Sequence, residues 1–141
     1  MPYSYSEHIS DIGIEAVGAD LASAFEAGVE ATLNIMFDLD AIEEKVCVEV
    51  RAEAGDVETL FVEVINEVLS LQGRDELALR RLKVEEISTG DGFALRGKAF
   101  GESFDAARHG PGTEVKGATY SGLFYNNGEG GVHVLRCVLD V

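Results

Sequence analysis

Residues 45–71 read KVCVEVRAEAGDVETLFVEVINEVLSL, and the hydrophobic period changes partway along them. Val46, Val48 and Val50 alternate with Lys45, Cys47, Glu49 and Arg51, the two-residue period of a strand with one buried face. From Val57 the apolar positions are Leu60, Phe61, Val64, Ile65, Val68, Leu69 and Leu71, with Glu63, Asn66, Glu67 and Ser70 opposite them. That is the stripe of an amphipathic helix, and Asp56 stands where its carboxylate can accept from the free amides of the first turn.

Working outward, the same grammar recurs. Asp20 offers another N-cap, followed at helical spacing by Leu21, Phe25, Val29, Leu33 and Met36, and the helix is expected to end before FDLDAIEE. DIGIEAVG, ahead of it, reads as a strand. Beyond the second helix the pattern is all strand: RRLKVEEIS, a TGDG hairpin turn, FALRGKAFGES, then TEVKGATYSGLFYN and VHVLRCVLDV joined by NNGEGG. The order β-α-β-α-β-β-β-β predicts an α+β fold in which two helices pack on a largely antiparallel sheet. With 141 residues, 46% of them hydrophobic, one domain spanning 1–141 is expected, and no repeat, linker or low-complexity tract interrupts it.

Charge narrows the function. Twenty-six acids against 11 bases give a formal net charge of -15, and no basic run exceeds Arg80-Arg81 with Lys83. A phosphate backbone is bound by clustered Lys and Arg that release counterions, so autonomous nucleic-acid binding is not expected. The acidity fits solubility, attraction of a metal, or a basic protein partner. Cys47 and Cys137 lack metal-ligand spacing and read as reduced thiols, with pairing across neighbouring strands as the alternative. The start MPYSYSEHIS has no signal-peptide character, and no stretch approaches about 18 uninterrupted apolar residues. A soluble cytoplasmic protein is the expectation.

GxSxG, GKT/GKS, HExxH and a glycine-rich strand-to-helix loop are all missing from the sequence, so hydrolase, P-loop and Rossmann readings have no support. What remains is a set of acids. Asp11 enters the first strand and Asp140 closes the last. If those strands are antiparallel neighbours, the two carboxylates share a site, and two close carboxylates need a proton or a cation between them. Ca2+ takes about 6 to 8 oxygen ligands and Mg2+ about 6, so waters and the carbonyl or terminal carboxylate of Val141 would complete the set. The other reading makes Asp11 a turn cap and Asp140 a solvated charge.

The chain resembles the archease family over nearly its whole length. The resemblance is carried by EHISDIGIEAVG, DLASAFEAGVEA, VINEVLSL, GESFDAARH, TEVKGATYSGL and the closing VLDV. It implies an accessory protein, not an enzyme itself, of the RtcB-type tRNA-splicing RNA ligase, which joins tRNA exon halves using GTP and manganese. Such proteins promote guanylylation of the ligase histidine, restore multiple turnover and broaden nucleotide triphosphate use. The resemblance also implies a divalent metal, usually calcium, on Asp11, Asp140 and the Val141 carbonyl, and it singles out Lys116 as facing ligase or nucleotide.

Glu114 and Tyr120 are expected on the same strand face as Lys116. His8 could orient the Asp11 carboxylate or be an ordinary partly buried histidine. Asn66 and Glu67 match a family pair on the polar helix face, open between ligase contact and solvation. Asp105 and His109 would share a helical face and could hold a softer metal, although Arg108 points to a loop tie. HIS replaces the His-Thr-Ala common before Asp11, leaving Ser10 as a substitute hydroxyl. Two rival functions stay open: a general chaperone or binding module for RNA-processing or methylating enzymes, which needs exposed apolar surface, and a metal-dependent hydrolase, for which no base or nucleophile is evident.

Overall fold

The computed structural model describes residues 2–8, 11–110 and 112–141, and of Glu7, His8 and Glu129 it describes the main chain only. Both helices start where their caps predict. Helix α1, Leu21–Met36, begins on a reciprocal box: the Asp20 carboxylate accepts from the Ser23 amide at 2.7 Å and the Ser23 hydroxyl accepts from the Asp20 amide at 3.2 Å. These bonds hold the Asp20 carboxyl below its ordinary value. Helix α2, Val57–Arg74, begins on Asp56, which accepts from the Thr59 amide at 2.7 Å.

The strands are β1 (Tyr3–His8), β2 (Asp11–Gly18), β3 (Val46–Ala54), β4 (Leu77–Gly90), β5 (Gly92–Ser103), β6 (Gly117–Asn127) and β7 (His133–Asp140). They form two sheets, ordered β1-β2-β7-β6 and β3-β5-β4, and every pairing is antiparallel. The α+β expectation holds, with the strands divided over two sheets. Each helix touches both: α1 lies on β2 and β4, α2 on β3 and β6. A helix covered on two sides must be apolar around most of its girth, which is why Val62 on α2 is as buried as Leu60 and Phe61. The helices approach closely where Phe25 meets Phe61 edge-on at 5.8 Å. Gly28 makes room there, since a Cβ on it would lie 2.2 Å from the Phe61 ring.

Three features depart from the sequence reading. Strand β1, where no strand was expected, pairs antiparallel with β2, and a one-turn helix α3, Ala106–His109, follows β5. Strand β6 starts at Gly117, so residues 113–116 are not strand and Lys116 does not share a strand face with Glu114 and Tyr120. The cause is local docking: the Thr113 amide bonds the Ile35 carbonyl at 3.3 Å, and Gly112 lies so close to α1 that a Cβ would be 1.7 Å from the Met36 carbonyl oxygen. Cys47 and Cys137 lie in different sheets and are free thiols. Burial pushes the Cys137 thiol up to about 12. No helix among the described residues is long and apolar enough to cross a membrane.

Candidate functional site

Asp11 is the first residue of β2 and Asp140 the last of β7, and the ladder sets them directly opposite each other. The register is pinned by what lies beneath: Ile14 pairs with Cys137 and Ala16 with Leu135, and these side chains, with Leu139 opposite the half-buried Ile12, fill the core. A slip of one residue would expose that set, so the core itself fixes the two acids as a pair. Directly opposed side chains in an antiparallel pair lie on one face with Cβ atoms about 4.5–5.5 Å apart. Both residues are half-buried, as is Val141 beside them.

Neither carboxylate has an ion-pair partner within 4.0 Å among the described residues. Arg136, on the same face, is committed elsewhere: it bonds Glu15 and lies 4.5 Å from the centre of the Phe124 ring. Among the described residues the repulsion across the pair therefore has no side-chain cation to offset it. The donors described at this end of the sheet are oxygens, the set a hard divalent cation prefers. Among the described residues no group of three or more His, Cys, Asp or Glu side chains is placed to hold a metal, so a cation here would rely on the two carboxylates, main-chain oxygen at Val141 and water.

Lys116 joins the site through its main chain. Its amide donates to the Asp140 carbonyl at 2.8 Å, and the next residue, Gly117, is the ladder partner of Asp140 on the side away from Asp11. Its side chain is exposed. Asn66 on α2 holds this junction. Its carboxamide oxygen accepts from the Ala118 amide at 2.7 Å and its nitrogen donates to the Ala118 carbonyl at 3.1 Å, locking the first turn of β6 onto the helix. Asn66 is thus a main-chain clamp, a role its place on the polar stripe of the sequence did not indicate. Glu67 is half-buried beside it, with no hydrogen bond or ion pair among the described residues. Tyr120 is 59% exposed and donates its hydroxyl to Glu63. The His8 main chain pairs with Asp11, while its side chain lies outside the described residues, as does Ser10.

The Asp105/His109 pair serves the fold. Asp105 caps α3 by accepting from the Ala107 amide at 3.0 Å. His109 is buried, and its Nδ1 accepts from the Asp105 amide at 2.9 Å, so Nε2 carries the proton and donates to Glu102 at 3.0 Å. Both ring nitrogens are occupied and neither is free for a metal. Arg108 donates to Glu102 at 2.9 Å and to the Ala41 carbonyl at 3.1 Å, the expected loop tie. The buried Glu102 anchors the group: the Glu43 amide at 2.8 Å is the largest influence on it, with His109 and Arg108 next, and together they hold its carboxyl at about 2 despite burial.

Comparison with known proteins finds others of similar sequence and fold. The model of the archease protein family matches residues 3–141. The archease of Pyrococcus furiosus is 39% identical over 119 residues, 84% of this chain and 83% of that protein. The solution structure of Methanobacterium thermoautotrophicum protein 1598 superposes with a TM-score of 0.84 at 25% identity, covering 99% of each chain. The crystal structure of an archease from Thermotoga maritima, named a possible chaperone, superposes at 0.63 with 18% identity, covering 96% of this chain and 94% of that one, and shares the fold. With the family model spanning nearly the whole sequence and both opposed carboxylates inside the match, the chain belongs to the archease family.

Proposed function

We propose that this protein is an accessory factor of an RtcB-type RNA ligase, promoting guanylylation of the ligase and its repeated turnover and broadening its choice of nucleotide triphosphate. One observation carries the reading: Asp11 and Asp140 oppose each other at a sheet end with no cationic side chain among the described residues paired with either, and the chain of Lys116 is bonded to the same strand end. Asp11, Asp140 and the Val141 carbonyl would hold a hard divalent cation, Ca2+ by the family resemblance, and a bound cation would supply positive charge beside the two carboxylates.

The roles of this chain's own groups follow. The core-pinned ladder orients the two carboxylates, Asn66 holds the start of β6 at Ala118, and the exposed Lys116 ammonium is available to a ligase carboxylate or a nucleotide phosphate. The contribution to guanylyl transfer is positioning and charge stabilisation. Direct grip on RNA is not part of the reading, since Arg51, Arg81, Arg96, Arg108 and Arg136 are each already paired with an acid. The test is guanylylation of the cognate ligase with GTP, with and without this protein: acceleration supports the reading and its absence, with both proteins folded, removes it.

A second reading, a chaperone for RNA-processing or methylating enzymes, draws on the name of the Thermotoga relative and on Phe104, Tyr120 and Phe124, which are large and exposed. It predicts suppression of client aggregation that survives Asp11→Ala and Asp140→Ala.

A further inference from the structure

A cleft of about 1010 Å³ runs between the C-terminal end of α1, one side of α2 and the segment leading into β6. Met36, Phe37, Leu69, Leu77, Phe104 and Val115 give it an apolar lining, and Phe104 is 46% exposed on its wall. The walls are built rather than loose: Gly112 sits against the Met36 carbonyl with no room for a Cβ, and the Asn66 carboxamide grips Ala118 with both its atoms.

Two polar groups in this lining lack the partners they could use. Gln72 is 5% exposed. Its oxygen accepts from the Leu79 amide at 2.9 Å, which fixes the carboxamide's orientation, but its nitrogen meets only the Met36 thioether sulfur at 3.5 Å. A carboxamide nitrogen has two N–H donors and a thioether is a weak acceptor, so the cleft wall holds a donor with capacity to spare. Lys116 is the second. Among the described residues it has no ion pair within 4.0 Å, which is equally true of Lys83 and Lys98, but of these three lysines only Lys116 lines the cleft. In a chain with 26 acids, an ammonium left without one at the rim of an apolar cleft matches an acid from outside.

We infer that the cleft docks a segment of a partner protein presenting an aromatic or long aliphatic side chain to the apolar lining and a neighbouring Asp or Glu to Lys116. The volume is at the upper limit of the about 300–1,000 Å³ usual for small-molecule pockets. One wall is the main chain of residues 113–116, which belongs to no sheet and can meet an extended peptide. Glu76 and Glu114 also line the cleft, so a polyanion such as nucleic acid is repelled while a single acid placed at Lys116 is accepted. The inference rests on the accessory-protein reading in taking the occupant to be part of a protein and in giving Lys116 an acid of that protein, and it deepens that reading by adding the apolar cleft beside Lys116.

The test uses the purified full chain without ligase, so its failure and the failure of ligase activation are separate results. Fluorescence titration with the anionic apolar dye 1-anilinonaphthalene-8-sulfonate, beside its neutral relative N-phenyl-1-naphthylamine, reads the site in wild type, Lys116→Glu and Phe104→Ala, both at exposed positions and with folding checked by circular dichroism. The expected result is that Lys116→Glu weakens the anionic dye about tenfold and leaves the neutral one unchanged, while Phe104→Ala weakens both. The capped peptide Ac-Ala-Phe-Asp-Ala-NH2 is expected to displace the dye, and its Asn counterpart to need about tenfold more. Equal dye binding by all three proteins, or no binding, overturns the cleft as a site. Dye that binds as expected but resists both peptides overturns the partner segment in favour of a small-molecule site.

Discussion

Replacing Asp140 by Asn has opposite effects on stability depending on whether a divalent cation is present. Without metal, Asp11 and Asp140 are like charges directly opposed across a strand pair with no side-chain cation paired to them among the described residues, an arrangement expected to cost about 0.5 kcal/mol. Removing one charge relieves that cost, and for a chain of 141 residues the melting temperature in EDTA rises by about 1–2 °C. With calcium at about 100 times its dissociation constant, wild type gains about 2.7 kcal/mol, or about 8 °C, because the cation binds the folded state alone. The amide of Asn cannot supply the missing charge, so the variant gains little and the order of the two proteins reverses. Thermal melts followed by circular dichroism, in EDTA and in a calcium series, give all four values. If wild type and Asp140→Asn shift equally with calcium, or neither shifts, the carboxylate pair is not a cation site. If the two melt together in EDTA, the acids are separately solvated and the repulsion argument is wrong.

Asn66→Ala leaves the Ala118 amide and carbonyl without their partner and costs about 1–3 kcal/mol, measured by urea unfolding, with faster hydrogen exchange at the Ala118 amide as the local sign. An unchanged exchange rate there would mean that β6 is not held by the helix. Glu102, held at about 2 against an ordinary 4.5, favours the folded state fully above pH 4.5 and loses that contribution as pH falls from 4.5 towards 2. The stability gap between wild type and Glu102→Gln therefore narrows across that window, and a gap constant from pH 7 to pH 2 contradicts the network. Native protein should react with a thiol reagent at Cys47 only, since Cys137 is 2% exposed with its thiol pushed up to about 12, and two fast thiols would refute the burial of β7.

Local features were readable because the sequence states them locally. Asp20 and Asp56 cap the helices they precede, and the apolar stripe of α2 reports its packed faces directly. The pairing of Asp11 with Asp140 spans almost the whole chain, and the residues alone leave it conditional on the first and last strands being antiparallel neighbours; the family resemblance is what favours the pair, and the ladder sets the two acids opposite each other. Features that depend on one side chain reaching a distant main chain were not legible. Asn66 clamps a residue 52 positions away, and Glu102 binds the Glu43 amide 59 positions away. Neither contact leaves a periodic trace. Lys116 looked like strand because TEVKGAT alternates, but docking of residues 112–113 on the end of α1 delays the sheet until Gly117. The Tyr3–His8 strand was hidden by its polar face: Ser4 and Ser6 alternate with Tyr3 and Tyr5 where a more apolar run would have signalled a strand.

The most direct test of the central claim is single-turnover guanylylation of the cognate ligase with GTP in the presence of wild type or Asp140→Ala, each shown to be folded at the assay temperature. The account predicts acceleration by wild type and its loss in Asp140→Ala. Equal acceleration by both proteins would contradict it, because the opposed carboxylates would then have no part in the activity.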